Sequence, residues 1–170
     1  MEREDLQRAI EAILFAAGER IEISRLSAVL EVDTKDIIKA VDKLYDNPKC
    51  ELIYSSNYEL LVAVMLSAQC TDKRVNQVTS ELFKEYNTPK KMISLSQEEL
   101  ETKIRSCGFF HNKAKHILEA SRDIVNHHNG EVPSEKQKLK NLAGVGEKTA
   151  NVVLSLAFGV PAIAVDTHVF

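Results

Sequence analysis

Leu142-Ala143-Gly144-Val145-Gly146-Glu147-Lys148-Thr149-Ala150, followed further on by Val165-Asp166-Thr167-His168, decides how this chain is read. Two glycines bracket a valine between two segments of helical character. The segment before them, Ser134 to Leu142, opens with capping-box spacing, Ser134 then Gln137. The segment after them, Glu147 to Ala157, is apolar at helical spacing through Ala150, Val153, Leu154 and Ala157. Gly144 and Gly146 admit backbone angles closed to other residues, so the turn can be tight and its N–H groups can point outward together. Those donors would stand at a helix N-terminus, where the dipole favours an anion, and phosphate is the expected guest.

Lys148 falls in the first turn of the second helix. The positive helix end, and any burial there, would disfavour its charged form, and a partly neutral lysine is a nucleophile. Asp166 follows 18 residues later, beyond the breaker Gly159-Val160-Pro161, so the chain can fold it back toward the lysine. Taken singly, each piece also has a plainer meaning. A glycine turn joins helices, a first-turn lysine is a solvated cation, and an aspartate before a threonine is a helix cap.

Taken together, Leu-x-Gly-Val-Gly-x-Lys-Thr-Ala-Asn-Val-Val-Leu and the later Val-Asp-Thr-His-Val-Phe resemble the helix-hairpin-helix DNA glycosylases, those of the endonuclease III type most closely. The resemblance extends upstream through Leu60-Leu61-Val62-Ala63-Val64-Met65-Leu66-Ser67-Ala68-Gln69-Cys70-Thr71-Asp72. It continues in Gly108-Phe109-Phe110-His111-Asn112-Lys113-Ala114 and His128-Asn129-Gly130-Glu131-Val132-Pro133. Several specific motifs in one order along one chain make chance a poor explanation.

Composition sets bounds. The chain has 170 residues, 44% hydrophobic and 28% charged, with a formal net charge of −3. The acidic surplus lies in residues 1–50 and the remainder is balanced, so DNA binding must rest on a local patch. The longest apolar run, Val152 to Val165, is interrupted by Gly159 and Pro161 and is too short to span a bilayer. The acidic start Met1-Glu2-Arg3-Glu4-Asp5 lacks the basic opening of a secretory signal. Cys50, Cys70 and Cys107 have no zinc or iron–sulfur spacing and read as free thiols of a reducing cytoplasm.

The front of the chain reads differently. Leu6, Ala9, Ile10, Ile13, Leu14 and Ala17 form a helical stripe ending at Gly18, and helical patterns follow at Ser24 to Leu30 and Thr34 to Tyr45, with Thr34 as the expected cap. Ala9-Ile10-Glu11-Ala12-Ile13-Leu14-Phe15-Ala16-Ala17-Gly18-Glu19, with Leu26-Ser27-Ala28-Val29-Leu30, resembles the start of segregation-and-condensation protein B, a winged-helix family that acts through protein partners. From Asn57 the pattern is helix after helix. Tyr58 to Cys70 is apolar nearly all round, Asp72 to Tyr86 follows, Thr88-Pro89 caps another helix, and Ser96-Gln97-Glu98-Glu99 opens one running to Cys107. A further helix from about Asn112 to His128 ends at Asn129-Gly130. The expected fold is therefore all-α. Residues 1–44 form a partial winged-helix-like segment, and residues 45–170 form the six-helix barrel that the glycosylase resemblance implies, the join falling near Leu44–Asn47.

The resemblance implies roles as well. Lys148 and Asp166 become catalytic. Lys148 attacks the sugar and releases the base, a Schiff base and β-elimination follow, and Asp166 stabilises the cationic sugar or assists proton transfer. Gly144, Val145, Gly146 and Thr149 become contacts to the DNA backbone. Gln69 fills the gap left by a flipped base and Phe109 wedges into the stack. Read alone, Gln69 is a helix-end amide and Phe109 a half-buried core residue. The implied partner is double-stranded DNA with a damaged base or abasic site, with oxidised pyrimidines as substrates, at the nucleoid of a bacterial cytoplasm. The alternative is a non-catalytic protein-binding module of chromosome segregation and condensation, with a protein partner held through residues 1–44. Two substitutions depart from the family pattern. Ala143 replaces the usual proline, and Glu147 occupies a place often basic, where its charge should repel phosphate and favour protonated Lys148. The family carries a [4Fe-4S] cluster on four cysteines that would lie beyond Phe170, so its ligands are expected to be absent from this chain and its activity impaired.

Overall fold

A computed structural model describes residues 3–17, 21–44 and 50–160. The described residues are all-helical, without a strand, and fall in two compact units divided between Lys49 and Cys50.

The first unit holds α1 (Arg3–Ala17), α2 (Ile23–Leu30) and α3 (Thr34–Leu44). Leu6 and Ile10 one turn apart on α1, Leu26 of α2, and Ile37 with Ala40 of α3 make its small core. The link between α2 and α3 is tight because Glu31 adopts left-handed angles and the Ser27 hydroxyl donates to the Val32 carbonyl at 2.6 Å. Asp33, rather than Thr34, caps α3. Its carboxylate accepts the Lys35 N–H at 2.8 Å, as the stronger capping preference of aspartate allows. Gly18 and Tyr45 lie outside the described residues.

The second unit holds α4 (Asn57–Ser67), α5 (Asp72–Glu85), α6 (Pro89–Met92), α7 (Gln97–Ile104), α8 (Phe110–His127), α9 (Lys136–Asn141) and α10 (Glu147–Phe158). Helix α4 is its axis. Every residue from Tyr58 to Leu66 is buried, against α5, α8 and α10. Leu60, Leu61 and Leu66 are each almost fully buried, which contributes roughly 1.5–3 kcal/mol apiece before ordering costs. Its start is fixed from both sides. The Ser56 hydroxyl accepts the Glu59 N–H at 3.1 Å, and the Glu59 carboxylate accepts the Ser55 N–H at 2.6 Å. Thr88 caps α6 above Pro89, and Ser96 with Glu99 completes a full capping box on α7. Helix α7 stops at Ile104, short of the expected Cys107, and Cys107 turns into the core. The Ser134 capping box is not formed. Helix α9 starts at Lys136, and the Glu135 side chain before it pairs with Lys138 at 2.6 Å.

Candidate nucleic-acid interface

The joint between α9 and α10 is the turn that the glycines announce. Leu142 and Val145 are buried on either side of it, and the Val145 N–H donates inward to the Leu142 carbonyl at 3.1 Å. That donor therefore does not point outward with the others. The N–H groups of Gly144 and Gly146, both exposed, find no acceptor among the described residues. Only Gly144 needs to be glycine for its backbone. Its φ is +74°, and a Cβ there would stand 2.8 Å from the His116 Cβ on α8. Gly146 has extended angles open to any residue (φ −84°, ψ −178°), and a Cβ there would meet nothing within 4 Å among the described residues. Its missing side chain leaves open space over the first turn of α10.

Lys148 is exposed in that first turn and Thr149 is half-buried beside it. Glu147 does not present the bare negative charge that its sequence position suggests. Its carboxylate is gripped by Lys136 and by Lys140, the latter at 2.8 Å, both from α9. These two ammonium groups pull the Glu147 carboxyl down to about 2. Asp166 and His168 lie outside the described residues.

Gln69 and Phe109 come together in the same unit. Gln69 follows the C-terminal end of α4 at φ +54°, and Phe109 precedes α8 at φ +57° with 67% of its surface exposed. Non-glycine residues rarely take such angles, and the residue between Cys107 and Phe109 brings the two turns into contact, since a Cβ on Gly108 would lie 3.6 Å from the Gln69 carbonyl oxygen. Phe109 is thus an exposed ring on a strained turn and not a half-buried core residue. Beneath the pair sits Lys113, 8% exposed, donating from Nζ to the Leu66 carbonyl at 2.9 Å. Burial holds Lys113 below the usual lysine range. Burial and the neighbouring Cys70 thiol push the Cys107 thiol up to about 11. Helix α8 joins the two regions, with Phe109 before its first residue and His116 under Gly144 about 10 Å further along its axis.

Lys113, His116, Lys136 and Lys140 are functional candidates that the motifs do not single out. The signal for Lys113 was present. It shares the buried stripe of α8 with Ile117, Ala120 and Ile124, where a lysine is out of place.

Residues 62–170 match the family described as HhH-GPD superfamily base excision DNA repair protein. The chain belongs to that superfamily. Among its relatives, it is 50% identical to endonuclease III of Bacillus subtilis (strain 168) over 141 residues, 81% of this chain and 64% of the relative. It spans, then, less than two thirds of the length of that protein. Its fold is similar to a trapped endonuclease III–DNA covalent intermediate, an estranged-adenine complex (TM-score 0.76, 45% identity, 88% of this chain and 66% of the other). It is also similar to a non-covalent endonuclease III–DNA complex (TM-score 0.74, 46% identity, again 88% and 66%). Nothing in these matches supports the segregation-module alternative.

Endonuclease III implies a [4Fe-4S] cluster. The thiols present do not fit one. Cys107 is buried beside Cys70 in the core, and among the described residues no group of three or more His, Cys, Asp or Glu side chains could hold a metal ion. No helix among the described residues is long and apolar enough to cross a membrane.

Proposed function

We propose that this HhH-GPD chain carries the DNA-binding and nucleophile-bearing part of a glycosylase and abasic-site lyase that acts on oxidised pyrimidines in double-stranded DNA. The observation that carries the reading is the exposed Lys148 in the first turn of α10, directly after two exposed glycines whose N–H groups find no acceptor among the described residues. A backbone phosphate seated on the Gly144 and Gly146 N–H groups, with Thr149 and the Lys136 and Lys140 ammonium groups nearby, fixes the strand. Val145 supports that seat from the core side.

With the strand held, Lys148 in its neutral form bonds to the sugar C1′ as the bond to the damaged base breaks, and the base leaves with a proton. Ring opening gives a Schiff base on Lys148. Loss of a C2′ proton then expels the 3′ phosphate. Asp166 is assigned the stabilising carboxylate for the cationic sugar. Gln69 fills the vacated stack and Phe109 wedges beside it, a reading supported by their exposure, their left-handed backbones and the close approach of Gly108 to the Gln69 carbonyl.

Residues 1–44 are read as a partial winged-helix-like segment and residues 45–170 as the glycosylase barrel. Exposed Ile23, Val29 and Ile38 favour a protein partner for the first. The cluster of the family is not held by Cys50, Cys70 and Cys107. Bacterial cytoplasm, at the nucleoid, is the expected location.

Borohydride reduction on a duplex with an abasic site tests the chemistry. The chain should form a covalent adduct and Lys148→Ala should form none while still binding the duplex. Equal trapping by the variant, or no adduct with the parent, would overturn it.

A further inference from the structure

We propose that Lys113 is a positioning residue that couples the Gln69 turn to the Phe109 turn, so that both side chains enter a distorted duplex as one unit. The proposal rests on the glycosylase reading of this face. Its grounds are the hydrogen bonds Lys113 makes in two directions. Its backbone N–H donates to the Phe109 carbonyl at 3.1 Å, closing the first turn of α8. Its ammonium group donates to the Leu66 carbonyl at 2.9 Å, in the last turn of α4 and three residues before Gln69.

A lysine this buried is costly to keep, and among the described residues no carboxylate lies within ion-pair distance of it. What compensates it is the carbonyl end of α4. The last carbonyls of a helix lack intrahelical donors, and a cation there is favoured by the dipole. The ammonium group thus satisfies the frayed end from which Gln69 departs. The Cys70 and Cys107 thiols meet at the same junction, a weaker and neutral link.

Two non-glycine residues held at φ +54° and +57° each need surroundings that over-determine them, because left-handed angles are unfavourable without glycine. The backbone bond to Phe109 is one any residue would make; what the lysine adds is its Nζ bond to the Leu66 carbonyl, which ties the start of α8, just after Phe109, to the end of α4, just before Gln69. If either turn relaxed alone, the other would lose its neighbour where Gly108 approaches the Gln69 carbonyl. The two inserting groups then act cooperatively, which a cap serving only the stability of the fold would not produce.

The test uses the full chain and two readouts. In the free protein, Lys113→Met should raise amide exchange at residues 68–71 and 107–111 together, by tenfold or more, with α5 to α7 unchanged. On a duplex carrying a tetrahydrofuran abasic analogue, Gln69→Ala and Phe109→Ala should be non-additive in the parent by about fivefold or more in Kd and additive in the Lys113→Met background. Lys113→Gln, polar but too short to reach Leu66, should behave as Lys113→Met does and serves in its place if the methionine variant fails to fold. Exchange that rises in one turn only, or non-additivity that survives loss of the lysine, overturns the proposal. A parent that ignores the abasic duplex overturns the glycosylase reading instead, and the exchange readout then decides on Lys113 by itself.

Discussion

The turn between α9 and α10 and the paired turns at Gln69 and Phe109 both depend on left-handed backbone, and they achieve it by opposite means. At the first, glycine supplies the angle. Gly144 sits at φ +74° without strain, and His116 occupies the space a Cβ would need. At the second, a glutamine and a phenylalanine are held at similar angles by their surroundings. The first turn is built to be there in any state of the protein. The second carries strain, and it places two side chains at the surface that glycine could not offer. Glu31 and Asn129 take the same angles where helices end, so the angle alone does not mark function; what sets Gln69 and Phe109 apart is that their two turns approach each other at one surface.

The largest expected effect breaks the first turn. Gly144→Ala adds an unfavourable left-handed alanine and a clash with His116, together about 2–4 kcal/mol, while Gly146→Ala should cost less than about 0.5 kcal/mol. Thermal melts should show a fall of roughly 8 °C or more for the first and almost none for the second. Binding to an abasic duplex should nonetheless weaken for Gly146→Ala, because its methyl group enters the open space over α10. Similar melting losses at both positions would show that the two glycines are equivalent after all.

A smaller effect of opposite sign is expected at the paired turns. Gln69→Gly and Phe109→Gly each relieve left-handed strain but loosen the unfolded chain, leaving a net gain of about 0.5 kcal/mol. Denaturant midpoints should rise slightly while affinity for the abasic duplex falls. A drop in both would mean that the side chains hold the fold together and that their exposure is incidental.

The smallest effect concerns the clamp on Glu147. Its carboxyl is lowered in the folded chain from 4.5 to about 2, so pairing with Lys136 and Lys140 stabilises fully above the unfolded value and is lost as pH falls toward 2. Acid titration followed by carboxyl carbon shifts should place the Glu147 midpoint near 2. The stability difference between the parent and Glu147→Gln should close between pH 4.5 and 2. The pair is half-exposed, so added salt should shrink it.

These contrasts also explain what could be read in advance. Helices follow from apolar spacing and from caps of serine, threonine and proline, so α4, α5, α6, α8 and α10 were legible within a few residues. The hairpin was legible because glycine marks left-handed backbone in the sequence. Gln69 and Phe109 were marked only by family resemblance, since nothing in a glutamine or phenylalanine announces such angles. The inward N–H of Val145 and the grip on Glu147 were hidden because each depends on groups brought together by folding. Asp33 displaced Thr34 as a cap through competition between neighbours that propensity alone ranks only weakly.

The central claim is that the hairpin and the paired turns form one DNA-binding face in the second unit. Hydrogen exchange with and without a duplex carrying a tetrahydrofuran abasic analogue tests it most directly. The account predicts new protection at residues 68–71, 107–111 and 144–148 together, with residues 3–44 unchanged. Protection confined to residues 3–44, or present at the hairpin and absent from both paired turns, would contradict it.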